Sequence, residues 1–272
     1  MNPKLQKLKE ILAEMESVLI AYSGGVDSTF LLKVARDVLG DKVLAVTASS
    51  LTFPADEIKN AKKMAQSLGI GHLTIRTGEL SNSRFTRNSL RRCYWCKREL
   101  FSKLVSLAKK YKLNYVLDGS NYDDQKDFRP GMQAGLEFGI RSPLKEAGFT
   151  KDEIREHSKK LGLATWNKPS FACLASRFPY GMRITEERLK KVDKAERFLR
   201  NFGITQVRVR HYNHIARIEV LRDQMPKLFQ EAVRDKIVNK FKKLGYTYVT
   251  VDLQGYRSGS MTEMTKDEKN IP

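Results

Sequence analysis

Two short strings carry most of the chemistry this sequence could do. Ser23-Gly24-Gly25-Val26-Asp27-Ser28-Thr29 gathers two glycines, three hydroxyls and a carboxylate into seven positions. Adjacent glycines let a phosphate approach the main chain closely, and a helix opening behind them offers N–H groups and the positive end of its dipole. Such a string suits an anion. Cys93-Tyr94-Trp95-Cys96 sets two thiols three positions apart between Arg91, Arg92, Lys97 and Arg98, and cationic neighbours at a helix N-terminus favour the thiolate. A third thiol, Cys173, lies in Pro169-Ser170-Phe171-Ala172-Cys173-Leu174-Ala175-Ser176-Arg177, a segment without periodicity. Four chemistries are open to the three cysteines: unrelated packed thiols, a structural zinc, a redox pair, or a 4Fe-4S cluster. A closed zinc site wants four ligands, and none of His72, His157, His211 and His214 stands beside a cysteine at finger spacing. A C-x-x-C redox pair leaves Cys173 unused. Three thiolates around a cluster employ all three and leave one iron open, which is the favoured reading.

Positioning these residues needs particular elements. The apolar run Val18 to Tyr22 and the amphipathic stretch Phe30 to Leu39 place the first string between a strand and a helix. A Walker A loop would follow its second glycine with a lysine, and none is present. Strand-like runs recur at 43–47, 72–76 and 115–117, alternating with helical patterns at about 55–69, 97–111 and 150–162. This order predicts βα units and a parallel sheet. Ligands of such sheets gather at the carboxyl ends of the strands, where Ser23, Ser49-Ser50 and Asp118-Gly119-Ser120-Asn121 would meet. The plainer alternatives are a turn for Gly119 and Asn121 and capping for Ser49-Ser50. From Thr185 the pattern becomes a helix (185–202), strands (206–212 and 214–220), a helix (223–244) and a strand (247–252). The expectation is an α/β fold of two domains, 1–180 with the parallel sheet and a smaller α/β domain, 181–272. Alternation along Gln206-Val207-Arg208-Val209-Arg210 puts Arg208 and Arg210 on one face, either clamping a phosphate or lying in solvent.

At 272 residues, 41% hydrophobic and 30% charged, the chain has the make-up of a globular protein. No apolar run reaches the roughly 20 residues that span a bilayer. The lysine-rich start carries Leu5, Leu8, Ile11, Leu12 and Met15 at helical spacing, a first helix instead of a signal peptide. Fifty Lys and Arg against 31 Asp and Glu, a formal +19, call for an anionic partner, tRNA or a phosphorylated small molecule. An odd cysteine count argues for a reducing cytoplasm. Ser258 to Pro272 is polar and aperiodic, with an end expected to be disordered.

The first string resembles the S-G-G-x-D-S motif of the PP-loop ATP pyrophosphatases, which cleave ATP between its α and β phosphates to adenylate a substrate. Together with Asp118-Gly-Ser-Asn-Tyr-Asp-Asp, Arg129-Pro130-Gly131 and Cys173-Leu-Ala-Ser-Arg, it makes the chain similar, from about 5 to 260, to the LarE family. Those proteins are ATP-dependent sulfur transferases of nickel-pincer nucleotide cofactor biosynthesis. They convert the carboxylates of a pyridinium dicarboxylate mononucleotide to thiocarboxylates. The resemblance implies ATP binding by Ser23, Gly24, Gly25, Asp27, Ser28, Thr29, Ser49 and Gly119, with Asp27 on Mg²⁺ and catalysis by Asp27 and Cys173. It implies a substrate site of Trp95, Ser176, Arg177, Glu196, Arg208, Arg210 and Arg257 in a C-terminal domain that also serves oligomerisation. From the residues alone, Trp95 could equally be core packing and Glu196 a helix-surface ion pair. Single-cysteine members consume the counterpart of Cys173, leaving dehydroalanine. This chain departs from them by carrying Cys93 and Cys96, and so resembles the members whose three cysteines hold a 4Fe-4S cluster, with sulfide or another donor as the sulfur source. The rival expectation is a PP-loop tRNA thiolation enzyme. The +19 charge favours it, whereas the missing paired zinc-binding cysteines and the few aromatics placed for base stacking oppose it. A non-enzymatic nucleotide sensor is a third.

Overall fold

The computed structural model describes residues 2–126, 130–169, 172–257 and 259–261, and the chain divides into two compact units. Unit 1 comprises Met1–Phe85 with Leu90–Phe171, and unit 2 comprises Thr86–Ser89 with Ala172–Pro272.

Unit 1 opens with α1 (Pro3–Met15), started by proline at a first-turn position and by the Asn2 side chain, which accepts from Lys4 N. The elements then run β1 (Val18–Ala21), α2 (Val26–Leu39), β2 (Val43–Ser49), α3 (Ala55–Ser67), β3 (Gly71–Arg76), α4 (Ser83–Thr86), α5 (Arg92–Lys110), β4 (Tyr115–Leu117), α6 (Pro130–Glu137), α7 (Pro143–Glu146) and α8 (Lys151–Lys160). The four strands form one parallel sheet in the order β3-β2-β1-β4. Alternate residues of β1 serve opposite layers, as the pleat requires. Val18 and Ile20 join a core of Leu8, Leu12, Phe30, Leu31, Phe149 and Ile154, while Leu19 joins Val46, Phe101, Leu104 and Ala134. A sheet covered on both faces leaves its strand ends for ligands. The helix opening at Lys151 is set by a reciprocal cap between Thr150 and Glu153.

Unit 2 contains α9 (Glu186–Arg200), β5 (Val207–Tyr212), β6 (Ile215–Val220), α10 (Met225–Phe229), α11 (Glu231–Lys243) and β7 (Tyr248–Val251). Its three strands run in the order β5-β6-β7, the first pair antiparallel and the second parallel. The single helix expected at 223–244 is broken at Gln230, whose extended backbone ends α10 and begins α11. The cause is burial. Leu228 and Ile237, both buried, lie nine positions apart, which puts them on opposite faces of an unbroken helix. Among the described residues no helix is long and apolar enough to cross a membrane.

Candidate active site

Between β1 and α2 only Tyr22 to Gly25 make the turn. Gly24 has a φ of 68°, and a Cβ there would sit 2.8 Å from Ala61 Cβ, so no other residue fits. Gly25 stands at the N-cap of α2, and no side chain caps that helix, which leaves its first turn available to an anion. Beyond β4, a Cβ on Gly119 would meet Ser28 N at 3.1 Å and Ser28 Cα at 3.2 Å. The loop after β4 therefore lies directly against the start of α2. Asp118 is committed to building that loop, accepting from Ser120 N (3.1 Å), Ser120 Oγ (2.8 Å) and Ser142 Oγ (2.7 Å). Ser49 ends β2, with its carbonyl taken by Thr77 N. Ser23 Oγ and Ser28 Oγ share a hydrogen bond of 3.0 Å at the loop. Thr29 differs. It is completely buried, with its hydroxyl 3.2 Å from the phenol oxygen of Tyr22, which burial pushes up to about 12 against the opposing Thr29 bond. That pair braces the loop from behind.

Asp27 lies in the first turn of α2. Its Oδ2 accepts from Lys151 Nζ at 2.5 Å. Its Oδ1 is buried and hydrogen-bonds to no group among the described residues. An unsatisfied carboxylate oxygen at an anion-binding loop suits a hard divalent cation such as Mg²⁺. A second lysine, Lys168, donates to Gly24 O at 3.0 Å and to Glu57 Oε2 at 2.6 Å. Two lysines thus come to a loop that carries none of its own. Neither is legible from the sequence, since both stand far downstream among many other lysines.

Cys93, which is exposed, and Cys96, half-buried, occupy one face of the opening of α5. Cys96 Sγ donates to Glu79 Oε1 at 3.8 Å, and Glu79 is buried. Trp95 packs edge-on to Tyr94, the guanidinium of Arg84 lies 4.5 Å from its ring centroid, and the ring is partly buried against the α5 core layer. Cys173, in unit 2, heads a short 3-10 turn (Leu174–Arg177), its sulfur accepting from Ala175 N at 3.4 Å. All three cysteines are thiols. Three sulfur side chains are the soft donor type that an iron-sulfur cluster takes. Among the described residues no group of three His, Cys, Asp or Glu side chains is gathered for a metal ion.

In unit 2 the arginines are inside. Arg177 is fully buried and grips Glu196 with two bonds, Nε to Oε1 (2.7 Å) and Nη2 to Oε2 (3.0 Å). Its Nη1 donates to Ala172 O, Cys173 O and Ser176 Oγ, so Arg177 fixes the turn that carries Cys173. Glu196 also accepts from Arg200 and from Val209 N at the edge of β5. Burial would raise this carboxyl, but Arg177, Arg208 and Arg200 hold it below the usual carboxylate range. Arg210 donates to Glu219 (2.6 Å), Ser260 Oγ (2.9 Å) and Ser176 O (3.0 Å). Arg208, only 2% exposed, is pushed down to about 10 by burial and by the charge of Arg177, against the pull of Glu196. Its guanidinium lies 5.3 Å from the Tyr256 ring centroid. Arg257 stands 3.9 Å from Asp252. The alternatives of a solvated strand face for Arg208 and Arg210 and of a surface ion pair for Glu196 are overturned, because the compensating charges lie inside the unit. Arg129 lies outside the described residues, as does the chain end from 262.

A family model described as NAD synthase matches residues 4–92, which include the glycine loop. An uncharacterized protein of Synechocystis is 46% identical over 97% of this chain and 98% of its own length. The pyridinium-3,5-bisthiocarboxylic acid mononucleotide synthase of Lactiplantibacillus plantarum is 38% identical over 96% of this chain and 94% of its own. An uncharacterized protein of Methanocaldococcus jannaschii is 34% identical over 94% and 98%.

Proposed function

This chain belongs to the LarE family of PP-loop ATP-dependent sulfurtransferases, and on that premise we propose that it adenylates the carboxylates of a phosphorylated pyridinium dicarboxylate mononucleotide and converts them to thiocarboxylates. The observation that carries the ATP half is the loop itself: left-handed Gly24, an uncapped α2 and the buried, unsatisfied Oδ1 of Asp27. A substrate carboxylate oxygen attacks the α-phosphorus and pyrophosphate leaves. A sulfur nucleophile then attacks the acyl carbon, AMP departs, and the thiocarboxylate remains. The α2 N–H groups, Ser23 and Ser28 stabilise charge on the leaving pyrophosphate, with Gly24, Gly25, Gly119 and Ser49 framing the nucleotide and Thr29 supporting from behind. Asp27 would hold Mg²⁺, which supplies Lewis-acid neutralisation of the phosphates.

Arg208, Arg210 and Arg257 take the substrate phosphate, which suits the buried cationic excess of unit 2. Trp95, Ser176, Arg177 and Glu196 complete that site, Arg177 by holding the Cys173 turn and Glu196 by gripping Arg177 through both oxygens. Cys93, Cys96 and Cys173 would hold a 4Fe-4S cluster, which supplies, when bound, an iron open to the sulfur that is transferred. The test is pyrophosphate release from Mg²⁺-ATP on adding pyridinium-3,5-dicarboxylic acid mononucleotide. Release that rises with this substrate supports the reading, and release that answers only to tRNA would replace it with tRNA thiolation.

A further inference from the structure

We propose that Lys151 is a placeholder cation: it occupies Asp27 until a divalent cation takes that carboxylate, then turns to the polyphosphate and supplies the lysine that the loop lacks. The inference rests on the reading of the loop as an ATP site. Four observations carry it. The ion pair joins residues 124 positions apart at 2.5 Å, directly on the first turn of α2. It satisfies only one carboxylate oxygen, leaving Oδ1 buried without a partner among the described residues. Its side chains are 29% and 22% exposed, so the part-buried pair still has access to solvent, and a hard divalent cation can compete with the ammonium for the carboxylate. Finally, Lys151 opens α8 with its own N–H fixed on Asp123 Oδ2 at 2.8 Å. The main chain is anchored while the flexible four-carbon stem can swing. Lys168 contrasts with it, for it is held by both Gly24 O and Glu57 and so stays with the loop as a fixed positive charge.

The experiment reads metal and nucleotide binding instead of turnover, with Mn²⁺ as the probe. Mn²⁺ is titrated into ATP-free wild-type protein, Lys151→Gln, Lys151→Arg and Asp27→Asn, and the binding lost in Asp27→Asn defines the site. ATP affinity is then measured at saturating Mn²⁺. Without its competitor, Asp27 should bind Mn²⁺ about threefold tighter in Lys151→Gln, the scale of a part-exposed ion pair. The same variant should bind ATP at least about tenfold more weakly, the loss of one charge-assisted hydrogen bond, and Lys151→Arg should recover most of that loss. Tighter Mn²⁺ binding shows that the lysine competes for Asp27, and the loss of ATP affinity with its recovery in Lys151→Arg separates a lysine that moves to the phosphates from one that only fills the carboxylate. Unchanged or weaker Mn²⁺ binding in Lys151→Gln would overturn the placeholder role, and unchanged ATP affinity would overturn the move to the phosphates. If wild-type protein binds neither Mn²⁺ nor ATP in a manner sensitive to Asp27, the ATP reading itself fails and takes this inference with it.

Discussion

Arg208 shows how a residue can cost stability and serve function at once. Burial and the neighbouring Arg177 push its guanidinium down to about 10, against the pull of Glu196. Burying one guanidinium beside another costs folding free energy, and a phosphate brought to the two would offset their repulsion. Arg208→Met should therefore leave stability within about 1 kcal/mol of wild type, or raise it, while the KM for the mononucleotide rises at least about tenfold and that for ATP stays unchanged. Urea unfolding and steady-state kinetics check both halves. A large loss of stability with unaltered KM would make Arg208 a structural residue. Alternation in the sequence put Arg208 and Arg210 on one strand face but could not tell that this face is interior. The partners that make burial tolerable, Glu196 and Glu219, come from a helix and from the neighbouring strand. Lys151 and Lys168 were illegible for the same reason: each acts through a contact made only by the fold, whereas Ser23 to Thr29 is contiguous and declares its chemistry locally.

At the scale of elements, β5 is an edge strand with both faces covered, buried from Val207 to His211. His211 is packed edge-on against Phe178, its Nδ1 is 3.1 Å from the Tyr246 phenol oxygen, and burial with nearby Lys191, Arg188 and His214 pushes it down to about 4. An unfolded histidine titrates near 6.5, so between about pH 6.5 and 4 the unfolded chain binds more protons than the folded one. Stability is then fully present above pH 6.5 and falls as the pH drops toward 4, by as much as about 3 kcal/mol from this one group. Denaturant unfolding at pH 7 and pH 5 should show the loss in wild-type protein and a much flatter response in His211→Gln. Equal pH dependence in the two would remove His211 from the account. The strands of unit 1 and the order of elements in unit 2 were legible because alternation and helical spacing are local signals. The break at Gln230 was not, since it arises from where Leu228 and Ile237 must be buried, which only the packed unit decides.

Across the whole molecule, the formal charge of +19 divides into two kinds. Arg177, Arg208 and Arg210 are buried and largely paired with Glu196 and Glu219, so they act on a ligand only at contact. The remaining excess lies mainly on exposed lysines and arginines and acts at a distance, within a screening length of about 8 Å at physiological salt. Long-range attraction of this kind speeds encounter with any polyanion and does not choose among them. Two salt responses should therefore separate. Association of tRNA should weaken on the order of a thousandfold between 50 and 200 mM salt, with no pyrophosphate release attributable to it. For the mononucleotide, kcat/KM should fall only a few-fold over the same range while kcat holds, since screening slows encounter but leaves the bound geometry untouched. The measurement is pyrophosphate release with each partner across that salt series. Saturable, salt-resistant stimulation by tRNA would mean that the surface charge is a recognition surface, and the small-nucleotide reading would give way to tRNA thiolation.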